Sequence, residues 1–290
     1  VTSPPYDNLR TYNGFTFDRD NANIQALVGN GLPDVRASDE VKSQQDGGVA
    51  TGYRFGNRTF GWNGDIARST PALYLAERIA LMGALNLQNQ PVEGLTMTFN
   101  LITGDVWTMR EVRVTDANFD LPEGEPSRTW NSYQVTFRST FPFFEGDEVD
   151  RSQQVTNSDY GIVVPAPVPG PIISTSGAVS STDPLVLTNS GNANAYPIFT
   201  ITGPGTTFTV SNSTTGHSFT ISTTLLSSDS IIVDTWNKTV TKGGVNILST
   251  FSGSWIYLQS GLNTMTLSVS TGSTVNTQLR TVFNHTYLGL

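Results

Sequence analysis

The chain has 290 residues, enough for two domains of ordinary size, with 14 % charged residues and a formal net charge of −8. The excess of acid, with Lys and Arg scattered, excludes a phosphate-neutralising nucleic-acid surface. The lack of cysteine excludes disulfides, thiolate metal sites and thiol nucleophiles.

No apolar run approaches the roughly 20 residues of a membrane-spanning helix. Nor does Val1-Thr-Ser-Pro-Pro-Tyr6 have the basic-then-apolar order of a signal peptide.

From the N-terminus, Gly14-Phe-Thr-Phe17, Thr51-Gly-Tyr-Arg-Phe55, Leu95-Thr-Met-Thr-Phe-Asn-Leu101 and Tyr133-Gln-Val-Thr-Phe-Arg138 alternate apolar and polar residues, the period of half-buried strands. One segment breaks that rhythm. Thr70 is a capping residue, Pro71 suits a first helical position, and good helix formers follow from Ala72 to Leu85. Only Glu77 and Arg78 are charged there, so this helix needs cover on more than one face, from its own core or from a second subunit.

Pro165-Ala-Pro-Val-Pro-Gly-Pro171 then favours polyproline II, a semi-rigid spacer of roughly 20 Å. Beyond it, Asp183, Asp229 and Asp234 balance Lys238, Lys242 and Arg280, so residues 1–170 hold the whole acidic excess. The composition shift predicts domains at 1–150 and 181–290 joined by a Pro-rich linker at 151–180.

In the second domain, strands are expected at 197–202, 206–210, 218–222, 230–235, 246–250, 255–258, 263–270 and 279–287. Short strands with turns every 8–12 residues or so predict an antiparallel β-sandwich. Phe199/Ile201, Phe208/Val210, Phe219/Ile221, Ile231/Val233 and Met265/Leu267/Val269 should point into its core.

Residues that could do chemistry are few. His217 and His285 are the only histidines, and no Gly-x-Ser-x-Gly elbow accompanies them. Both read as solvated or hydrogen-bonding. The acidic clusters 116–125 and 145–150, and Asp18-Arg-Asp-Asn21, match no calcium loop and read as solvated loops and turns. No catalytic, cofactor-binding or metal-ligating set is expected. Trp236, Trp255 and Tyr257 have two readings, core residues of the sandwich or a platform for sugar.

The order and spacing of the turns identify more. Pro197, the Gly203 turn, Asn212 to Gly216, Ile231-Ile-Val-Asp234, Gly243-Gly244 and Trp255-x-x-Leu258-x-x-Gly261-x-Asn263 together resemble the siphophage distal tail proteins, the Dit family. In the first domain Gly52-Tyr-Arg-Phe-Gly-Asn-Arg58-Thr-Phe60, Gly64-Asp-Ile66, the helix from Pro71 and Phe141-Pro142-Phe143-Phe144 are similar to the same family.

The resemblance implies a mainly β protein, with an N-terminal β-barrel-like domain bearing one helix and a C-terminal galectin-like or carbohydrate-module-like sandwich. It implies a structural, non-enzymatic role at the distal end of a phage tail in the virion, after synthesis in the host cytoplasm. The implied partners are five further copies in a hexameric ring, the tail tube protein, a Tal-like tail-tip hub and receptor-binding proteins. Phage DNA would only pass through the channel, and an acidic lining would keep it from adhering. The alternative is a virion module that binds host-surface carbohydrate.

Overall fold

The computed structural model describes residues 10–18, 22–29, 31–41, 48–101, 103–119, 129–154, 179–180, 184–270 and 277–289. Pro165 to Pro171 and most of 151–180 lie outside them, as do 19–21 and 120–125 of the acidic segments. The chain divides into two compact units, Val1–Asp147 with Tyr287–Leu290, and Glu148–Thr286.

The first unit contains β1 (Arg10–Tyr12), β2 (Phe15–Phe17), β3 (Ala22–Val28), β4 (Val35–Val41), β5 (Gly48–Phe55), β6 (Arg58–Ala67), α1 (Pro71–Ala84), β7 (Leu95–Asn100), β8 (Val106–Phe119), β9 (Trp130–Ser139) and the start of β10 (Phe144–Gln154). Its main sheet is antiparallel in the order β3-β6-β9-β8-β7-β1-β2. The end strands β2 and β3 touch, so the sheet curls toward a barrel. Period-2 alternation sends Tyr12, Phe17, Phe60, Trp62, Phe99, Phe137 and Phe144 to one interior face, each buried. Their rings pack edge-on, tilted or stacked, as with Phe17 on Trp62 at 5.0 Å, Trp62 on Phe137 at 4.8 Å and Phe60 on Phe137 at 5.5 Å.

The helix begins as its sequence predicts. Thr70 is extended and its side chain accepts from Leu73 N at 3.3 Å, and Pro71 occupies the first turn. It ends at Ala84, where the Leu85 N–H bonds back to the Leu81 carbonyl at 3.0 Å. Tyr74, Leu81, Ala84 and the following Leu85 are buried, with α1 lying over β6 and β2.

The second unit contains the rest of β10, β11 (Val179–Ser180), β12 (Leu185–Asn189), β13 (Ile198–Thr202), β14 (Gly205–Asn212), β15 (His217–Leu225), β16 (Ser230–Asp234), β17 (Thr239–Lys242), β18 (Val245–Asn246), β19 (Phe251–Gly253), β20 (Gly261–Ser270) and β21 (Gln278–Tyr287). One sheet runs β18-β17-β16-β13-β21 and the other β11-β20-β14-β15-β19, with β12 also on β20. Every side chain expected in the core is there: Phe199, Ile201, Phe208, Val210, Phe219, Ile221, Ile231, Val233, Met265, Leu267 and Val269 are at most 1 % exposed. Burial of each contributes on the order of 1.5–3 kcal/mol.

Two expected strands differ. Residues 246–250 leave β18 for a tight helical turn at Leu248–Thr250, and the Asn246 side chain just before it accepts from the Leu248 N–H at 2.9 Å. Residues 255–258 make one bridge among the described residues, Ala195 to Leu258.

Candidate functional site

The Trp255-to-Asn263 motif is a piece of buried carpentry. Asn263 is fully buried after the Gly261 turn, which has φ 89°. Its Nδ2 donates to the Gln259 and Gly261 carbonyls at 2.9 and 3.1 Å, and its Oδ1 accepts from Gln259 N and Asn212 Nδ2 at 3.1 and 3.2 Å. Asn212 also donates to the Tyr257 carbonyl at 3.1 Å. Asn189 completes the set, donating to the Ala193 and Leu258 carbonyls and accepting from Gly191 N and Thr286 N.

Three amides therefore satisfy backbone groups that irregular chain would otherwise bury unpaired. Asp234 does the same at the surface. Its Oδ1 accepts from Trp236 N and Asn237 N at 3.0 and 2.9 Å, holding the turn that leads to Thr239.

The aromatic candidates form separate pairs. Trp255 is half-buried and stacked on Phe251, with centroids 4.2 Å apart and planes at 17°. Tyr257, two residues on, lies 4.9 Å from His217. Trp236 belongs to the β16–β17 turn and packs edge-on against Tyr196 at 4.9 Å. The histidines are apart as well. His217 Nδ1 is 3.1 Å from the Thr215 carbonyl, while His285 Nδ1 accepts from Ser190 N at 3.1 Å. Among the described residues, no three His, Asp or Glu side chains group closely enough to hold a metal ion. Glu145 pairs with Arg110 at 3.4 Å, and burial raises its carboxyl above the ordinary value against the pull of that arginine.

The first unit buries two arginines and exposes several large apolar side chains. Arg58 is buried at 1 % exposure. Its Nε donates to the Pro142 carbonyl at 2.7 Å, Nη1 to Gly31 and Gly29 at 2.6 and 3.3 Å, and Nη2 to Leu288. The guanidinium also lies 4.8 Å over the Phe144 ring. Desolvation lowers its pKa to about 10, so it stays charged at neutral pH. The quoted Arg58 strand and the Phe-Pro-Phe-Phe segment thus form one structural joint.

Outside, Leu73, Leu75, Ile79 and Met82 of α1 are 53, 52, 61 and 47 % exposed. Among the described residues the β4–β5 hairpin pairs with no other strand, and its Val35 and Tyr53 are 55 and 79 % exposed. The helix is legible in the sequence through Thr70 and Pro71, whereas this hairpin is not. Its single signal was the alternation at 51–55.

Comparison with known proteins defines the class. Residues 190–283 match the model of the siphovirus-type tail component, C-terminal domain, so the sandwich is similar to that domain. Over both units the fold is that of the SPP1 phage Dit protein, described as a paradigm of the hub adsorption apparatus in phages infecting Gram-positive hosts. The TM-score is 0.64, identity is 14 %, and the match covers 97 % of this chain and 99 % of that one.

A chain of the activated phage p2 baseplate with Ca also matches, at TM-score 0.44 and 10 % identity over 95 % of this chain and 97 % of that one. So does the tube-terminating cap of the anti-feeding prophage, at 0.27 and 10 % over 48 % and 87 %. No curated protein matches the sequence.

Proposed function

We propose that the chain is a structural hub of a phage tail tip, a ring of six copies joining the tail tube to the host-adsorption apparatus. The observation that carries this reading is the conjunction of a tail-component sandwich at 190–283 with the SPP1 Dit fold along nearly the whole chain. In this reading the first unit makes the ring and abuts the tube, and the sandwich faces outward toward Tal-like and receptor-binding components. Phage DNA passes through the channel, and the protein resides at the distal end of the virion tail.

The surface of the first unit supports assembly. A 14-residue helix with four large apolar side chains about half exposed is unfinished as a free surface. A two-stranded hairpin is marginal alone in water and gains by lying on another subunit. Closed rotational symmetry lets one such junction be reused at every contact, each burying on the order of 1,500 Å² or more. Mass photometry and negative-stain images of the purified chain test the reading. Six-copy particles with a central hole support it, and a monomer that tail partners cannot drive into rings contradicts it.

A second reading, recognition of host-surface sugar, is favoured by the partly exposed rings of Trp236, Trp255 and Tyr257. A glycan array probed with the full chain tests it. Signal that survives the combined Trp236→Ala, Trp255→Ala and Tyr257→Ala change would remove these rings from any such site.

A further inference from the structure

The chain is acidic, yet one face of its first unit concentrates arginine. Arg36 and Arg54 stand directly opposite one another across the β4–β5 hairpin, and Arg113 and Arg138 do so across β8 and β9. Arg36 and Arg138 line one cleft of about 360 Å³ with Asp34, Gly56, Asn57 and Thr59. Arg36, Arg54 and Arg138 are exposed and Arg113 half-buried. Like charges placed opposite on neighbouring strands repel, since their Cβ atoms are only about 5 Å apart.

Nothing described within the chain relieves this. The ion pairs among the described residues are Arg68–Glu77, Arg110–Glu145, Lys242–Asp229 and Arg280–Asp150, and none uses these four arginines. Asn57, with its amide oxygen turned inward, accepts from Arg138 Nε and Nη2 at 3.1 and 2.5 Å. That partner is neutral, so it aims the guanidinium without cancelling its charge. Asp34 in the cleft wall makes no ion pair with either arginine among the described contacts, and its charge favours the protonated form of buried Arg58.

We propose that the cleft between Arg36 and Arg138 receives a carboxylate side chain from a second copy of this chain. The proposal rests on the ring reading above, in which every copy presents the same cleft and the same acidic surface to its neighbours. Charge complementarity selects this occupant, because 24 Asp and Glu against 16 Lys and Arg leave each copy with carboxylates to spare. A planar guanidinium fork matches a carboxylate in two-point contact. Nucleic acid is disfavoured by the net charge of −8 and by the carboxylate already in the wall.

The test uses the full chain as wild type, as Arg36→Gln with Arg138→Gln, and as Arg36→Lys with Arg138→Lys. Mass photometry follows assembly across NaCl from about 50 to 500 mM. Thermal melting checks the fold, and anisotropy of a labelled DNA duplex reports phosphate binding. The expected result is a wild-type ring weakened by salt, and a Gln variant of unchanged melting temperature whose assembly constant is weaker by about tenfold or more and insensitive to salt. The Lys variant should retain the salt sensitivity with intermediate strength.

Gln variants that assemble at wild-type concentrations, or DNA binding lost only in the Gln variant, would overturn the cleft as a carboxylate receptor and leave the ring standing. A wild type that forms no ring would overturn both. A Gln variant that melts early shifts the comparison to the Lys variant, where wild-type assembly strength at every salt concentration overturns the proposal and intermediate strength supports it.

Discussion

The two units solve the same problem, a curved antiparallel β structure, with opposite distributions of polarity. Residues 148–286 pack a core of aliphatic and aromatic side chains, meet buried backbone with neutral amides, and leave Asp229–Lys242 and Asp150–Arg280 as ion pairs at the surface. Residues 1–147 enclose charge. Arg58 is buried, and Arg10 lies buried 5.6 Å from the Trp62 and Phe99 rings, with desolvation lowering its pKa to about 10. The same unit turns an apolar helix face and a lone hairpin outward. In the proposed ring, this apolar surface beside an interior that holds charge is covered by neighbouring copies.

The largest expected effect is on assembly. Leu75→Glu with Ile79→Glu should abolish rings in mass photometry while leaving the melting temperature near that of wild type, because both side chains are about half exposed in the single chain. The matching change in the sandwich, Ile232→Glu at 45 % exposure, should leave assembly intact. Equal loss from both would erase the distinction between the units.

Next in size is Arg58→Ala, which strips four carbonyls of their donor and should destabilise the first unit by about 3–5 kcal/mol in urea unfolding. A smaller loss, about 1–3 kcal/mol, is expected for Asn263→Ala and should fall on the sandwich transition alone.

The smallest effect is in pH. Hydrogen bonding to Arg280 holds the Asp150 carboxyl below its ordinary 3.8, and the Leu226 N–H and Lys242 do the same for Asp229. Their contribution is whole above pH 3.8 and is lost as pH falls below it through the lowered values. Glu145 has the opposite sign. Burial raises its carboxyl above 4.5, so the first unit loses a little stability as pH rises from 4.5 through the raised value. Urea midpoints measured from about pH 3 to 7 should show this opposition, and Glu145→Gln should flatten the first unit's slope.

Much of this was legible in the sequence where a local rule was sufficient. Thr70 and Pro71 announce the helix, and period-2 alternation placed Phe199 through Val269 in the core. What escaped depended on distant partners. Nothing near Asn263 in sequence says that Asn212 will share its amide, and Arg58 finds the Pro142 and Leu288 carbonyls only through the fold. The strand expected at 255–258 failed because alternation reports burial, not pairing; Ile256 and Leu258 are buried, yet that segment makes one bridge among the described residues. For Trp236, Trp255 and Tyr257, aromatic identity alone could not say which neighbour each ring would meet.

In the proposed assembly the first unit is finished by other copies of itself. Mass photometry of the purified full chain, with negative-stain averages of the same sample, addresses it most directly. The account predicts six-copy particles with a central channel that fall apart on Leu75→Glu with Ile79→Glu. A wild-type chain that stays monomeric at every concentration, with tail partners present, would contradict it.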